Sequence, residues 1–339
     1  MKPLYYIGVL LYIGDMKKAA KILLFIVAGL VVVVALLGLY VKKALPNVGK
    51  PMDLKVQITP GRVAHGEYLA KSVAGCMICH SGRDTSLYGG PVKDGTWGMG
   101  GELFGRDQGF PGMIYSRNIT PYNLGKWTDG ELFRAITTGV SQDGHALFPL
   151  MNYPAFGRMD QEDIFSIIAF LRTLPPVVND VPKTQLDFPL SFIVNTIPAK
   201  AMLTSRPDSN NAAAYGKYLV MSASCVECHS MADKGQIVKG TEFGGGRDFG
   251  MVNGQHIYSM NITPDKETGI GSWSRELFIR KFKQFADSSY RPKQVAAGEF
   301  NTPMPWLAYA GMREKDLAAI YAYLREVKPI HNVVQRLPH

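Results

Sequence analysis

The pentapeptide Cys76-Met77-Ile78-Cys79-His80 recurs further along the chain as Cys225-Val226-Glu227-Cys228-His229. These two copies of C-x-x-C-H contain all 4 cysteines of the 339-residue chain. A histidine follows each cysteine pair directly, which restricts the chemistry that the pairs can serve. No other feature of the sequence limits the fold and the function of this chain as strongly.

Two thiols at this spacing can bond to the two vinyl groups of one porphyrin, and the adjacent histidine can then bind the iron. A zinc ribbon would place its second cysteine pair about 15–20 residues after the first, whereas Cys225 lies far beyond Cys79. A disulfide or a thioredoxin-like redox pair explains one copy, but not a histidine after both. The motifs therefore predict two covalently bound haem c groups, attached through Cys76 and Cys79 and through Cys225 and Cys228.

An uncharged apolar run covers residues 22–41. Its 20 residues match a bilayer core of about 30 Å at a rise of about 1.5 Å per residue. A signal peptide would have a shorter apolar core and a small-residue cleavage site, which Leu36-Leu37-Gly38-Leu39-Tyr40 does not offer. We expect an uncleaved N-terminal membrane anchor over residues 1–45, with cleavage as the alternative.

Haem attachment indicates the orientation of this anchor, because bacterial apocytochrome thiols are joined to haem outside the cytoplasm. The haem-binding residues are therefore expected on the periplasmic side of the inner membrane, behind a single-pass anchor. Lysines flank the run on both sides, so the positive-inside rule alone orients it only weakly. The stretch Leu4–Ile13 is too short to span. Met16-Lys17-Lys18 is typical of a translation start, so residues 1–15 are expected to be an over-extended reading frame.

The formal charge of +9 is unevenly distributed. Residues 1–45 hold six Lys and Arg against Asp15 alone, and the rest of the chain adds only +4. The excess therefore lies at the membrane flanks, and we expect no nucleic-acid partner. One basic cluster further on could dock an acidic redox partner or form a solvated helix face. It consists of Arg280, Lys281, Lys283, Arg291 and Lys293.

The two motifs lie in a longer internal repeat. In each copy a G-x-Y-L segment comes before C-x-x-C-H, then follow I-Y-S-x-N-I-T-P, a tryptophan and a methionine-containing loop. The matched pairs are 66–69 with 216–219, 114–121 with 257–264, Trp127 with Trp273, and Met151–Met159 with Met304–Met312. We call the repeat units the first copy and the second copy.

Helix signals recur at matching places in the two copies. Thr128 with Glu131 forms a capping box, and Ser274 and Asp160 are plausible N-caps. Each copy ends with an apolar stripe at helical spacing. The stripes are Ile164, Ile167, Ile168 and Leu171, and Leu317, Ile320, Tyr321 and Leu324. The sequence therefore predicts a mainly helical protein built from two similar units.

This order of elements resembles the class I cytochrome c fold over residues 60–175 and 210–328. N-I-T-P followed by Gly269-Ile270-Gly271-Ser272-Trp273, with the connector from Leu174 to Leu190, resembles the membrane-anchored cytochrome c subunits of bacterial alcohol, gluconate and aldehyde dehydrogenases. Asn152 departs from that family's pattern, in which proline usually follows the methionine.

The resemblance implies an all-α fold, with an N-terminal transmembrane helix followed by two tandem class I cytochrome c domains. The expected boundaries are 1–45 for the anchor, 46–185 for domain I and 186–339 for the connector and domain II.

His80 and His229 are the predicted first ligands of the two irons, each fixed by its neighbouring cysteine. Met/His ligation is usual in electron-transfer cytochromes c, and Met151 and Met304 occupy equivalent places in the repeat. We expect these methionines to be the sixth ligands. Met159 and Met312 are the alternatives.

Two histidines of the first copy were weighed as other ligands. His145 lies six residues before Met151 and is the rival sixth ligand. His65 belongs to the helix ahead of the first motif, where a surface position is the ordinary expectation.

Several polar and aromatic residues of the repeat could contact haem or serve the fold alone. They are Tyr115, Asn118, Trp127, Tyr258, Asn261 and Trp273. Both N-I-T triplets fit the glycosylation pattern, but their equivalence in the repeat favours a structural turn. The apolar segment 188–194 is expected to pack across the seam between the domains, with burial inside one domain as the alternative.

These expectations lead to a membrane-anchored diheme cytochrome c that relays electrons from a periplasm-facing dehydrogenase towards the respiratory chain. Its expected partners are the membrane and a dehydrogenase subunit, an oxidase or a soluble cytochrome. One alternative is a diheme subunit of a terminal oxidase or quinol-oxidising complex. The other is a diheme peroxidase, which would need an exchangeable iron position and acid–base side chains beside it.

Overall fold

The structure is a computed structural model that describes residues 3–250, 256–296 and 298–336, with the backbone alone for 3–15, Lys17 and Ala19. The chain begins with one helix, α1 (Pro3–Ala44). Its part Ala20–Ala44 is long and apolar enough to cross a membrane, and none of it is buried against the protein. The predicted span 22–41 falls inside this part. The side chains of Leu4–Ile13 lie outside the described residues.

The first copy is mainly helical around a short sheet. Its helices are α2 (Pro60–Tyr68), continued by a π-helical turn at Leu69–Val73, α3 (Cys76–Cys79), α4 (Pro121–Leu124), α5 (Asp129–Thr138), α6 (Tyr153–Phe156) and α7 (Gln161–Thr173). Strands β1 (Leu103–Phe104) and β3 (Gln185–Leu186) both pair antiparallel with β2 (Gly112–Tyr115).

The connector contains α8 (Leu190–Ile193) and a 3₁₀ turn at Val194–Thr196. The second copy then follows with α9 (Ala212–Ser222), α10 (Cys225–Cys228), β4 (Ala232–Asp233), β5 (Gln236–Ile237), β6 (Asp248–Gly250), β7 (His256–Tyr258), α11 (Arg275–Lys283), α12 (Trp306–Tyr309) and α13 (Glu314–Glu326). The strict all-α prediction is therefore wrong in detail, because the glycine-rich middle of each copy forms short antiparallel ladders. The mainly helical character is confirmed.

The first and last helices of each copy cross at a glycine. A Cβ added at Gly66 of α2 would lie 1.8 Å from the carbonyl oxygen of Ser166 in α7. The equivalent Gly216 of α9 would bring a Cβ to 1.9 Å from the carbonyl oxygen of Ala319 in α13. Only glycine permits these backbones to approach so closely. The glycine of G-x-Y-L therefore sets the packing of each terminal helix.

The predicted helix signals are confirmed. Thr128 and Glu131 form the capping box of α5, and Ser274 accepts a hydrogen bond from the Leu277 N–H at the start of α11. Asp160 caps α7 through the Glu162 N–H. The stripe residues are buried, with Ile164, Ile168 and Leu317 fully inaccessible, except that Tyr321 is half-buried.

The expectation that segment 188–194 packs across the seam between the copies is wrong. α8 has no buried residue, and it packs against α1 and β3 instead. Of the segment, Val194 is buried while Phe188 is 85% exposed. Burial inside one domain is therefore also excluded for most of this segment.

We predict that Gly66→Ala destabilises the protein by about 1–3 kcal/mol, because the new methyl group would overlap the α7 backbone. Gly61→Ala is the matched control. It lies in the same helix, and a Cβ there meets no atom within 4 Å. Urea unfolding followed by circular dichroism measures both. Equal midpoints for the two variants would show that the crossing does not depend on Gly66.

Candidate haem-binding sites

The two C-x-x-C segments form matching one-turn helices, α3 and α10. Each begins after a residue in the left-handed region, Gly75 at φ 67° and Ser224 at φ 58°. None of the four cysteines is joined to another in a disulfide. Burial raises the pKa of Cys76 and of Cys225 to about 12. Within the part of the chain that the structure describes, no group of three or more His, Cys, Asp or Glu is placed to hold a metal ion.

The histidine of each motif is oriented by a backbone carbonyl. Nδ1 of His80 lies 2.6 Å from the Arg117 carbonyl oxygen, and Nδ1 of His229 lies 2.7 Å from that of Met260. A carbonyl can only accept, so Nδ1 carries the proton and Nε2 keeps its lone pair. Burial lowers the pKa of both histidines, which favours the neutral ring. This is the state in which an imidazole binds iron, so the two sites fit haem.

The sequence prediction missed these orienting carbonyls, although a signal was present. Arg117 and Met260 occupy the variable position of the repeated I-Y-S-x-N-I-T-P segment. A backbone carbonyl is independent of the side chain, so this position can vary while the hydrogen bond is kept. The repeated segment thus supplies the second contact of each histidine.

A glycine at φ > 0 fastens this segment to each motif. Gly100 donates its N–H to the His80 carbonyl at 3.0 Å, and Gly245 donates to the His229 carbonyl at 2.8 Å. A Cβ at either glycine would lie 2.5–2.6 Å from the backbone of the repeated segment. The loop that contains each glycine therefore passes too close to the repeated I-Y-S-x-N-I-T-P segment for any side chain at these positions.

The predicted sixth ligands lie at matching places just ahead of α6 and α12. Met151 and Met304 are both half-buried. The alternatives Met159 and Met312 are 1% and 2% exposed and belong to the hydrophobic core. Because Met159 and Met312 are buried in the core, Met151 and Met304 are better placed to offer a sulfur to an iron. Iron ligation by any of the four stays a prediction.

The other two histidines are engaged elsewhere. His145 is 63% exposed and contacts Asp143 and Ser141. His65 is only 27% exposed, with Nε2 at 2.7 Å from Asp163 Oδ1, so the expected surface position is wrong. Asp163 lies in α7, which crosses the helix that carries His65. The hydrogen bond to Asp163 keeps the His65 ring partly buried.

The two N-I-T triplets are structural turns, as the repeat predicted. The Asn118 carboxamide is 3% exposed and donates to the Val177 carbonyl while accepting from the N–H and hydroxyl of Thr120. Asn261 makes the corresponding bonds to the Ile330 carbonyl and to Thr263. A buried amide with these partners is not accessible to a glycosylating enzyme.

The remaining haem-contact candidates are half-buried and stay candidates. They are Tyr115, Trp127, Tyr258 and Trp273. In the basic cluster, Lys283 donates to the carbonyls of Ala310 and Met312, so its charge serves the fold. Arg280 and Lys281 lie in the last turn of α11, where cations interact favourably with the helix dipole.

Reciprocal tyrosine–aspartate hydrogen bonds join the two copies. The Tyr68 hydroxyl donates to Asp316 Oδ2 at 2.5 Å, and the Tyr218 hydroxyl donates to Asp163 Oδ2 at 2.5 Å. Both tyrosine oxygens also accept an N–H from the other copy, that of Arg313 and that of Asp160. Each tyrosine of G-x-Y-L thus binds the final helix of the opposite copy.

The buried carboxylates of Asp163 and Asp316 differ in the number of hydrogen-bond donors and positive charges around them. Burial acts to raise the pKa of Asp163, but hydrogen bonds from His65 and Tyr218 and the charge of Arg206 outweigh it, so this pKa lies below its usual value. Arg206 Nη1 lies 2.6 Å from Asp163 Oδ1. Oδ1 of Asp316 is buried without a hydrogen-bond partner among the described residues. Asp316 therefore depends on Tyr68 more than Asp163 depends on Tyr218.

Further contacts bring the two attachment motifs close together. Asn152, next to Met151, donates to the hydroxyl of Ser224, which comes directly before Cys225. The Tyr309 hydroxyl donates to the Ala223 carbonyl at 2.7 Å. Desolvation raises the pKa of Tyr309 well above its usual value, and the thiols of Cys225, Cys228 and Cys79 add to this shift. The half-buried ring of Tyr309 therefore lies within electrostatic range of both motifs.

Comparison with known proteins agrees with this geometry. Residues 213–328 match the family described as Cytochrome c. Residues 213–328 thus form a cytochrome c domain, which implies covalently bound haem c in that domain.

The chain is 31% identical over 281 residues to the fructose dehydrogenase cytochrome subunit of Gluconobacter japonicus, covering 78% of this chain and 52% of that protein. It is 27% identical over 283 residues to the alcohol dehydrogenase (quinone) cytochrome c subunit of Gluconacetobacter polyoxogenes, covering 79% and 56%. The "Diheme cytochrome c-type" of Cereibacter sphaeroides is 26% identical over 286 residues, covering 80% and 87%.

The predicted resemblance to dehydrogenase cytochrome c subunits is thereby confirmed. This chain is similar to those cytochrome subunits over about four fifths of its length. It spans about half the length of the first two relatives named.

We predict that Tyr218→Phe lowers the free energy of unfolding by about 1–3 kcal/mol, because a buried carboxylate oxygen loses its donor. Tyr122→Phe is the matched control, since Tyr122 donates to Asp180 at 3.0 Å while 42% exposed. Its loss should cost little. A double-mutant cycle with Asp163→Asn isolates the pair, and strictly additive effects would contradict the bond.

Proposed function

We propose that this chain is a membrane-anchored diheme cytochrome c that relays electrons between a dehydrogenase and the respiratory chain. The observation that carries the proposal is the duplicated histidine geometry, in which His80 and His229 each bond through Nδ1 to an equivalent carbonyl. A single functional site would give no reason to keep both copies of this arrangement. The family match covers the second copy, and the repeat extends the inference to the first.

Each site would hold its cofactor with four groups. In the first copy Cys76 and Cys79 would form the thioether bonds, and His80 and Met151 would be the iron ligands. In the second copy the same roles fall to Cys225, Cys228, His229 and Met304. Haem c supplies a one-electron iron couple, and a filled sixth position keeps peroxide and other small ligands off the metal.

We infer two tandem cytochrome c domains from the repeated contacts. The proposed boundaries are 46–185 and 186–339, after the anchor of 1–45. Gly66 and Gly216 make the same helix crossing in each unit, which supports the division. The connector up to Arg206 bonds to the first copy, as in the pair Thr204 to the Arg158 carbonyl. This fastening would hold the two haem sites in a fixed relation.

The proposed location is the periplasmic face of the inner membrane. α1 supplies an apolar span of 25 residues, none of which is buried in the protein. Two of the relatives named above are cytochrome subunits of dehydrogenases, which supports a dehydrogenase subunit as the electron donor. A respiratory oxidase or a soluble cytochrome would be the acceptor.

The intact mass of the purified protein should exceed the polypeptide mass by two haems that survive acid extraction. A Cys76→Ala, Cys79→Ala double variant should lose one of them, and so should the equivalent change at Cys225 and Cys228. A gain of one haem in the unchanged protein would reduce the proposal to a single site.

Met151→His and Met304→His should each remove the sulfur-to-iron charge-transfer absorption of one haem and lower its potential, because Met/His ligation raises the potential. Met202→His serves as the control, since this side chain is 63% exposed. Met159→Leu and Met312→Leu should keep the absorption. If the band is lost in these leucine variants instead, the buried methionines are the ligands.

The relay itself is tested by ligand binding and turnover. Reduced protein should be reoxidised rapidly by oxidase-containing membranes and should respond weakly to carbon monoxide, since neither iron has an open position. Stopped-flow spectroscopy measures both rates. Rapid carbon monoxide binding at one haem, together with peroxide turnover at enzymatic rates, would promote the peroxidase alternative.

A further inference from the structure

The segment 188–198 is an uncharged stretch of eleven residues, Phe-Pro-Leu-Ser-Phe-Ile-Val-Asn-Thr-Ile-Pro. It contains α8 and the 3₁₀ turn at Val194–Thr196. Phe188 is 85% exposed and Ile193 is 44% exposed. Single exposed apolar side chains are ordinary, but a contiguous apolar patch marks a surface that meets a partner or a membrane.

The position of this segment identifies what covers it. α8 and the turn after it both pack on α1. At Gly38 of α1, an added Cβ would lie 3.8 Å from the Phe192 ring. Gly38 lies six residues before Ala44, the end of the apolar helix, which is about 9 Å along the axis. Interfacial helices bury their apolar face to a depth of about 5–10 Å.

The first copy holds the segment rigidly at this place. Gln185 and Leu186 of β3 pair with β2, and the Asp187 N–H donates to the Pro111 carbonyl at 3.0 Å. Arg106 binds both oxygens of Asp187, at 2.8 and 2.5 Å. The segment therefore cannot move away from the first copy without opening a sheet and a bidentate ion pair.

We propose that segment 188–198 is a second membrane contact, which inserts Phe188, Leu190 and Ile193 into the boundary between the phospholipid headgroups and the acyl chains. The proposal rests on the anchor proposed above and goes beyond it. A single helix would leave the haem-binding part free to tilt, whereas two contacts fix its height and its orientation over the bilayer. Lys42 and Lys43 follow at the end of α1, where they can meet lipid phosphates.

Photo-crosslinking of the full chain tests this contact. The protein is reconstituted in vesicles of phosphatidylethanolamine and phosphatidylglycerol that contain a phosphatidylcholine with a diazirine in its acyl chain. After irradiation and trypsin digestion, lipid adducts are expected on peptide 184–200 and on peptide 22–42 of the anchor. The peptide 326–336 is the control, because its Val333 is 74% exposed while its Asn332 and Arg336 hydrogen-bond to the second copy, at Gly244 and Tyr258.

The pattern of adducts separates the outcomes. Adducts on peptide 22–42 without any on 184–200 would overturn the second contact and leave the anchor intact. Absence from both peptides would remove the anchor and this contact together. Adducts on 326–336 at the same level as on 184–200 would show unselective labelling and contradict the proposal.

Variants provide the matched comparison. Phe188→Ser combined with Ile193→Ser should abolish adducts on 184–200 while peptide 22–42 keeps its own. Val178→Ser, which changes another strongly exposed apolar side chain, should alter neither peptide. The haem absorption spectrum confirms that each variant is folded. Undiminished adducts in the double serine variant would show that these side chains do not make the contact.

Discussion

Two buried carboxylates, one in the final helix of each copy, hold the molecule together through the other copy's tyrosine. Asp163 is 1% exposed and Asp316 is fully inaccessible. A carboxylate buried without a donor costs several kcal/mol, so Tyr68 and Tyr218 both stabilise the seam, with His65 and Arg206 as further donors to Asp163. The two tyrosines lie in α2 and α9, the helices that precede the attachment motifs α3 and α10. The spacing of the two haem sites therefore follows from a polar contact rather than from a shared apolar core alone.

The sequence predicted the parts of the fold that local chemistry decides. The caps at Thr128 and Ser274 and the apolar stripes of the last helices depend on neighbours a few residues away. The tyrosine–aspartate bonds could not be read in this way, because Tyr68 and Asp316 are separated by 248 residues. A repeat shows which residues are equivalent but not that the equivalents exchange partners.

The connector was misread for a different physical reason. An apolar stretch has the same composition whether its cover is a core, another domain or lipid, so segment 188–198 gave no indication of its partner. Its packing on α1 appears only in the folded structure. The orienting carbonyls of Arg117 and Met260 were also missed, since a backbone group leaves no mark in the residue type. The sequence did show the repeated I-Y-S-x-N-I-T-P segment, in which both carbonyls lie.

The exchange of partners across the seam also sets an order of events during biosynthesis. Asp316 lies in α13, 248 residues after Tyr68, so Tyr68 has no acceptor until that helix has been synthesised. Asp163 must likewise wait for Tyr218. The first Cys-x-x-Cys-His segment is thus synthesised while the two copies are still apart, whereas the second is synthesised shortly before α13 closes the seam. Cys76 and Cys79 therefore remain in an open chain for longer than Cys225 and Cys228.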